Sequence, residues 1–198
     1  MSWQIGGDYE EQQDMFSDMI LLMLLIIILV YMVMASQFES FMGPFVIMFS
    51  IPFALTGVAL GNLIHSQAVG VMSLIGIIIL LGIVVKNGIV LIDYTILCQE
   101  RGMSVRDSSV TAAKSRLRPI LMTTLTTVLG MLPMAMGTGE GSEMWRGLGI
   151  TVAWGLSIST LITLVLIPVL YCGFTEHRAK RKARKAARQA AKQSPATE

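Results

Sequence analysis

A lysine lies in the middle of a long apolar stretch of the sequence. Lys86 and Asn87 interrupt a run that begins near Val69 and ends near Cys98, with only aliphatic residues and glycine for several positions on either side. An ammonium at the centre of a membrane span costs about 2.5–3.5 kcal/mol on insertion scales. Charges at such positions mark ion or proton pathways, so we expect Lys86 to face the protein interior and to have a partner.

Asp93 is the acid that lies deepest in this run, but its position does not suit a direct ion pair. It follows Lys86 by seven residues, which is two helical turns or ~10.5 Å along the axis. Asp93 also lies nearer the end of the run, where a hydrated structural carboxylate fits the pattern equally well. We therefore expect Lys86 to take its acidic partner from a segment outside this sequence.

Arg116 and Thr123 form a second constellation, because seven residues separate them and both can lie on one helix face. An arginine at the mouth of a span and a hydroxyl two turns deeper could pass protons through water. The alternative is structural. Membrane threonines commonly bond the carbonyl four residues back, and arginine is ordinary at a cytoplasmic helix end.

Composition predicts that these residues are positioned by membrane helices. The 198 residues are 54% hydrophobic and 14% charged, where a soluble domain has about 25% charged residues. Mean hydropathy is +0.67, and the apolar blocks are long enough to cross a ~30 Å hydrocarbon core. We predict an all-α, polytopic membrane helix bundle with five transmembrane helices, at about 19–36, 45–63, 69–97, 119–136 and 145–173.

The polar segments set the predicted orientation. Ser104 precedes Asp107 by three residues, a helix-start pattern that predicts a short surface helix at about 104–115. The 99–118 loop and the tail at 174–198 carry five and eight of the 15 basic residues. By the positive-inside rule both are cytoplasmic, and the acidic segment at 1–18 is outside.

Several functions have no support in the sequence. No nucleotide-binding or hydrolase motif occurs, so we expect no enzyme activity. The two His lie far apart and no Cys/His cluster occurs, so we expect no metal site and no cofactor. Cys98 and Cys172 both fall at predicted cytoplasmic helix ends, on the reducing side of the membrane, so we expect free thiols. The basic tail predicts contact with anionic lipids, and its lack of aromatic residues argues against nucleic acid.

Three motifs resemble the last membrane helices of resistance–nodulation–division (RND) efflux transporter permeases, in the hydrophobe/amphiphile efflux branch. They are VYMVMASQFESFMGPFVIMFSIPFALTGVAL, GIVVKNGIVLIDY and RLRPILMTTLTTVLGMLPMAMGTGEGSE. The resemblance implies that the five spans correspond to helices 8–12 of a twelve-helix membrane domain. It matches Lys86, Arg116 and Thr123 to proton-relay positions, and Asn87 and Asp93 complete the predicted relay.

The resemblance implies a proton/substrate antiporter of the bacterial inner membrane that exports hydrophobic or amphiphilic compounds such as drugs. Its expected partners are the rest of the same transporter polypeptide, two further copies in a homotrimer, a periplasmic adaptor and an outer-membrane channel. We expect this chain to be the C-terminal membrane part of such a transporter, with a periplasmic N-terminus and a cytoplasmic C-terminus. Two alternatives remain: RND-type export of metal ions or lipids, and a stand-alone membrane scaffold or assembly subunit.

Overall fold

The structure, a computed structural model, describes the backbone of residues 3–38, 41–137 and 141–193, and the side chains of 13–38, 41, 43–137 and 141–175. These residues form six α-helices and no strand. In chain order the helices are α1 (Trp3–Gln37), α2 (Met42–Met48), α3 (Ile51–Ile64), α4 (Val71–Glu100), α5 (Val105–Met136) and α6 (Ser142–Gln193).

Within this described part, five segments are long and apolar enough to cross a membrane. They confirm the predicted all-α membrane bundle with five spanning helices. The segments are Gln13–Gln37, Gly43–Ile64, Val71–Glu100, Val105–Met136 and Ser142–Thr175. The side chains of the basic tail, and with them the predicted lipid contacts, lie outside the described residues.

Helix α5 differs from the expected arrangement. Where we predicted a short surface helix at about 104–115 and a separate span beginning at Pro119, one helix runs without a break from Val105 to Met136. Its start is the predicted one, because Ser104 Oγ accepts a hydrogen bond from the Asp107 backbone N at 3.2 Å. Pro119 stays inside the helix, where it cannot donate to the Ser115 carbonyl and its ring crowds that carbonyl, a disturbance that membrane helices tolerate.

The second predicted span, 45–63, is in turn divided between α2 and α3. Phe49 and Ser50 separate the two helices, and Pro52 stands in the first turn of α3. Proline has no backbone N–H, so the Met48 carbonyl receives no hydrogen bond from position 52. Two shorter helices therefore replace one continuous helix.

Helix α6 is the centre of the bundle and contacts α3, α4 and α5. Two glycines let α3 approach it closely. A Cβ on Gly61 would lie 2.6 Å from Cβ and Cγ of Trp154, and one on Gly57 would lie 3.0 Å from Cα of Gly155. Small residues four apart in this way allow membrane helices to pack backbone to backbone.

Two of the spanning helices carry long apolar faces that no described residue covers. In the most apolar window of α1 only 6% of residues are buried, and in that of α5 only 11%, against 56% in α6. Apolar side chains on such faces are suited to contact with lipid or with further membrane helices. Thr123, one of the predicted site residues, is exposed on α5.

Candidate functional site

Lys86, Asn87 and Thr123 lie together in one groove between α4 and α5. We call it the Lys86 groove; it has a volume of about 220 Å³, and its lining residues are Ile83, Lys86, Asn87, Val90, Pro119, Ile120, Thr123 and Thr127. The groove opens on the face of the bundle where α5 is uncovered, and the Lys86 side chain is exposed there. Three of the five predicted relay residues are therefore neighbours.

The α4–α5 hairpin sets this arrangement. Residues 101–104 are the whole connection between the two helices, so the helices run antiparallel. Positions further along α4 from Lys86 therefore face positions nearer the start of α5 than Thr123. This register places the Arg116 guanidinium over the Tyr94 ring, with Cζ 4.5 Å from the ring centroid. Arg116 thus lies two turns from Thr123, on the side nearer the connection.

The Lys86 ammonium has no ion pair or hydrogen bond to any described residue. Asp93 is exposed on α4 and does not line the groove. Since an ammonium in a membrane interior needs a counter-charge, the open side of the groove is where an acid would have to come from.

The threonine hydroxyls of the groove are anchored but retain acceptor capacity. Thr123 Oγ1 donates to the Ile120 carbonyl at 3.0 Å, and Thr127 Oγ1 donates to the Thr123 carbonyl at 2.9 Å. A hydroxyl that donates its proton still has two lone pairs. Thr123 can therefore accept a hydrogen bond from an ammonium in the groove without losing its own backbone bond.

Asn87 also belongs to a second, interior gap between α4, α5 and α6. Three α6 hydroxyls line this gap, those of Ser159, Thr160 and Thr163. Thr160 Oγ1 shares a hydrogen bond of 3.2 Å with Thr124 Oγ1 of α5. The sequence analysis did not identify these residues; the ISTLIT spacing within the last span is the signal that could have indicated a polar helix face.

Metal-binding side chains are not gathered at this site. Among the residues whose side chains the structure describes, no three of the types His, Cys, Asp or Glu lie close enough to hold an ion. Cys98 and Cys172 are both free thiols. The polar groups that line the Lys86 groove are the Lys86 ammonium, the Asn87 amide and the threonine hydroxyls.

Five helices long and apolar enough to span a membrane, with a polar groove between α4 and α5, define a polytopic membrane protein. The chain belongs to the AcrB/AcrD/AcrF family, the RND permeases, because that family's model matches residues 1–175. This confirms the resemblance on which the relay assignments depend.

Two similar proteins show how much of such a transporter the chain covers. It is 38% identical over 182 residues to the swarming motility protein SwrC of Bacillus subtilis (strain 168), a match that covers 91% of this chain and 17% of SwrC. It also resembles the crystal structure of a heavy metal efflux pump, with a TM-score of 0.75 and 30% identity, covering 83% of this chain and 16% of the pump. The chain thus spans about one sixth of the length of either protein.

Proposed function

We propose that this chain supplies relay residues to the proton path of an RND efflux transporter. The observation that carries the proposal is the Lys86 groove, in which an ammonium, the Asn87 amide and the Thr123 hydroxyl meet on an uncovered face of the bundle. The family membership supports the same function. In this role the chain acts in secondary active transport and not as an enzyme.

The proposed cycle follows from the charge of Lys86. When acids on neighbouring helices are ionised, the ammonium is drawn across the open side of the groove toward them. When these acids take up protons, the attraction falls and the ammonium turns back to Thr123 and Asn87, which offer oxygen acceptors. The alternation couples proton uptake to a rearrangement of helices, and antiport results when export of the cargo requires that rearrangement.

We propose that Arg116 and Asp93 act at the margin of the path. Arg116 lies over Tyr94, and its Nε is buried with no hydrogen-bond partner among the described residues. Asp93 is exposed on α4. Both lie toward the end of the hairpin that the positive-inside rule makes cytoplasmic. There Arg116 could orient a water molecule that carries a proton away from the relay, and Asp93 could accept the proton from that water.

The assembly we propose is that of the family. It comprises a homotrimer in the bacterial inner membrane, a periplasmic adaptor and an outer-membrane channel, with the N-terminus of this chain in the periplasm and its C-terminus in the cytoplasm. The basic tail would lie against anionic lipid, which attracts each nearby Lys or Arg by about 1 kcal/mol.

For the cargo we propose hydrophobic or amphiphilic compounds such as drugs, with metal ions as the second candidate. The second is favoured by one observation, the likeness to a heavy metal efflux pump. Cells that produce the transporter can be loaded with a fluorescent cationic dye or with Cu⁺ or Zn²⁺. Faster loss of the dye alone supports amphiphile export, and faster loss of the metal alone supports the second candidate.

The relay is tested by Lys86→Ala, with Lys114→Ala as the matched control, since Lys114 is exposed on α5 and lies outside the groove. Loss of a positioned proton-transfer group typically slows a reaction by a factor of about 10²–10⁴. We expect proton-coupled export to fall by about a hundredfold or more in the first variant and to be unchanged in the second. Export that survives Lys86→Ala at the level of the control refutes the relay.

A further inference from the structure

The face between α4 and α6 holds several buried hydroxyls that have no hydrogen-bond partner. Ser73 of α4 and Thr151, Ser159 and Thr163 of α6 are 0–4% exposed. The side-chain oxygen of each makes no hydrogen bond with a described residue. We call these four residues the α4–α6 seam. Buried hydroxyls in membrane helices usually bond their own backbone, so a run of free ones requires an explanation.

The seam residues follow one another along the two helices. Thr151, Ser159 and Thr163 lie at intervals of eight and four residues, a spacing that forms one ridge on a helix surface. At the start of this ridge a Cβ on Gly76 would lie 3.0 Å from Cβ of Thr151, and one on Gly147 would lie 2.9 Å from Oγ of Ser73. Ser73 thus lies against Gly147, and Thr151 lies one turn further along α6 against Gly76, in the parts of both helices that come first in the chain.

At its other end the seam reaches the Lys86 groove. Ser159 and Thr163 line the interior gap together with Asn87, and Asn87 also lines the Lys86 groove. One amide therefore borders both spaces. An amide has two N–H donors and one carbonyl acceptor. Asn87 can therefore hydrogen-bond to a hydroxyl or a water on the seam side and, at the same time, to a polar group in the Lys86 groove.

An apolar side chain divides the seam into two parts. Leu80 is 0% exposed and is seated against Gly155, where a Cβ would overlap the leucine Cδ2. Gly155 lies between Thr151 and Ser159 on α6, so Leu80 separates the Ser73–Thr151 pair from the pair next to Asn87. Beyond Leu80 the interior gap is too narrow for a water molecule. In this conformation the seam is closed.

We propose that the α4–α6 seam is a gated proton-access route from the Ser73 end of the bundle to Asn87, with Leu80 as its plug. The ligand is water, a short chain of which enters when α4 and α6 separate slightly. Each hydroxyl or water donates one proton forward and accepts one from behind, so no residue is left charged. The inference rests on the proposed function, since Lys86 is the group that the route serves.

The test measures proton flux into proteoliposomes that contain the complete transporter, with an imposed pH gradient and an entrapped pH-sensitive dye. The seam variant is the double substitution Ser159→Ala and Thr163→Val. Its matched control is Ser157→Ala with Thr126→Val, which removes the same atoms from hydroxyls that bond their own helix, at 2.7 Å to the Ala153 carbonyl and 2.8 Å to the Met122 carbonyl.

We expect the seam variant to lower proton flux by about fivefold or more, the effect of losing one net hydrogen bond in the path, and the control to leave it unchanged. Equal fluxes in the two variants overturn the route. If Lys86→Ala stops the flux while the seam variant does not, only this inference fails. If Lys86→Ala leaves the flux intact, the proposed function itself fails.

Removing the plug should have the opposite effect. Leu80→Ala is expected to raise the proton leak measured without cargo, because the two parts of the seam then join. Leu80→Val serves in its place if the alanine variant does not assemble, as judged by helicity and by elution as a single species. A leak no greater than that of the unaltered protein shows that Leu80 is not a gate.

Discussion

The contact between α3 and α6 leads to a quantitative prediction, because the structure shows what an added methyl group would meet. A Cβ on Gly61 would lie 2.6 Å from Cβ and Cγ of Trp154. The first of these atoms is bonded to the α6 backbone, so the overlap is relieved only if the helices move apart. Overpacking of this kind costs about 1–3 kcal/mol. The Trp154 Nε1 bond to Nε2 of His65, 3.2 Å long, would be strained by the same movement.

Gly82→Ala is the matched control for Gly61→Ala. A Cβ at Gly82 meets no atom within 4 Å, and both glycines lie inside helices. Replacing glycine by alanine in a helix gains about 1 kcal/mol from backbone propensity, and this gain is common to the two variants. Their difference in the free energy of unfolding therefore isolates the contact with Trp154, and we expect Gly61→Ala to be less stable than Gly82→Ala by about 1–3 kcal/mol.

Titration with a denaturing detergent in mixed micelles, followed by far-ultraviolet circular dichroism, gives both free energies of unfolding. Equal stabilities of the two variants would refute the close approach of α3 to α6 at Gly61. A Gly61→Ala variant that is destabilised while Gly82→Ala is not would also exclude a general intolerance of the bundle to alanine.

Three further outcomes are expected. In a double-mutant cycle of Thr124→Val and Thr160→Val, the coupling energy should be about 0.6 kcal/mol, the average for hydrogen bonds between membrane helices; a value near zero would contradict the bond in the structure. Tyr94→Leu should destabilise the α4–α5 hairpin by about 0.5–1 kcal/mol through loss of the cation–π contact with Arg116, and Tyr94→Phe should retain most of it in the same unfolding titration. Asp93→Asn should slow proton flux in proteoliposomes by less than tenfold, below the roughly hundredfold loss of a relay group, and a complete loss would give Asp93 a larger role than its exposed position indicates.

The helical architecture could be predicted from the sequence because membrane spans are set by local composition. Uninterrupted apolar blocks have few alternatives to a helix in a bilayer. Lys86 is conspicuous in such a block because placing an ammonium in the membrane interior is unfavourable. The joining of two segments through Pro119 could not be predicted, since proline is equally suited to the first turn of a new helix. The structure places it inside α5.

Contacts between helices were the part that the sequence could not provide. Tyr94 is the partner of Arg116 only because the hairpin register brings them together, and the two residues lie 22 positions apart in different helices. The sequence also does not show whether the α6 hydroxyls bond their own backbone. Serine and threonine in a membrane helix commonly bond their own backbone, and only the packing of α4 against α6 shows that Ser159 and Thr163 do not.

The short connection at residues 101–104 has a mechanical consequence. It ties α4 to α5 so closely that Lys86 and Thr123 belong to a single stiff hairpin, and a displacement of one helix carries the other with it. The backbone positions of Lys86 and Thr123 then keep their register across the hairpin, while the long Lys86 side chain can still turn toward or away from the hydroxyl. In the proposed relay, the partner of Lys86 would then be decided by helices that move relative to the hairpin. The hairpin would act as the fixed part, and the helices that face its open side as the moving part.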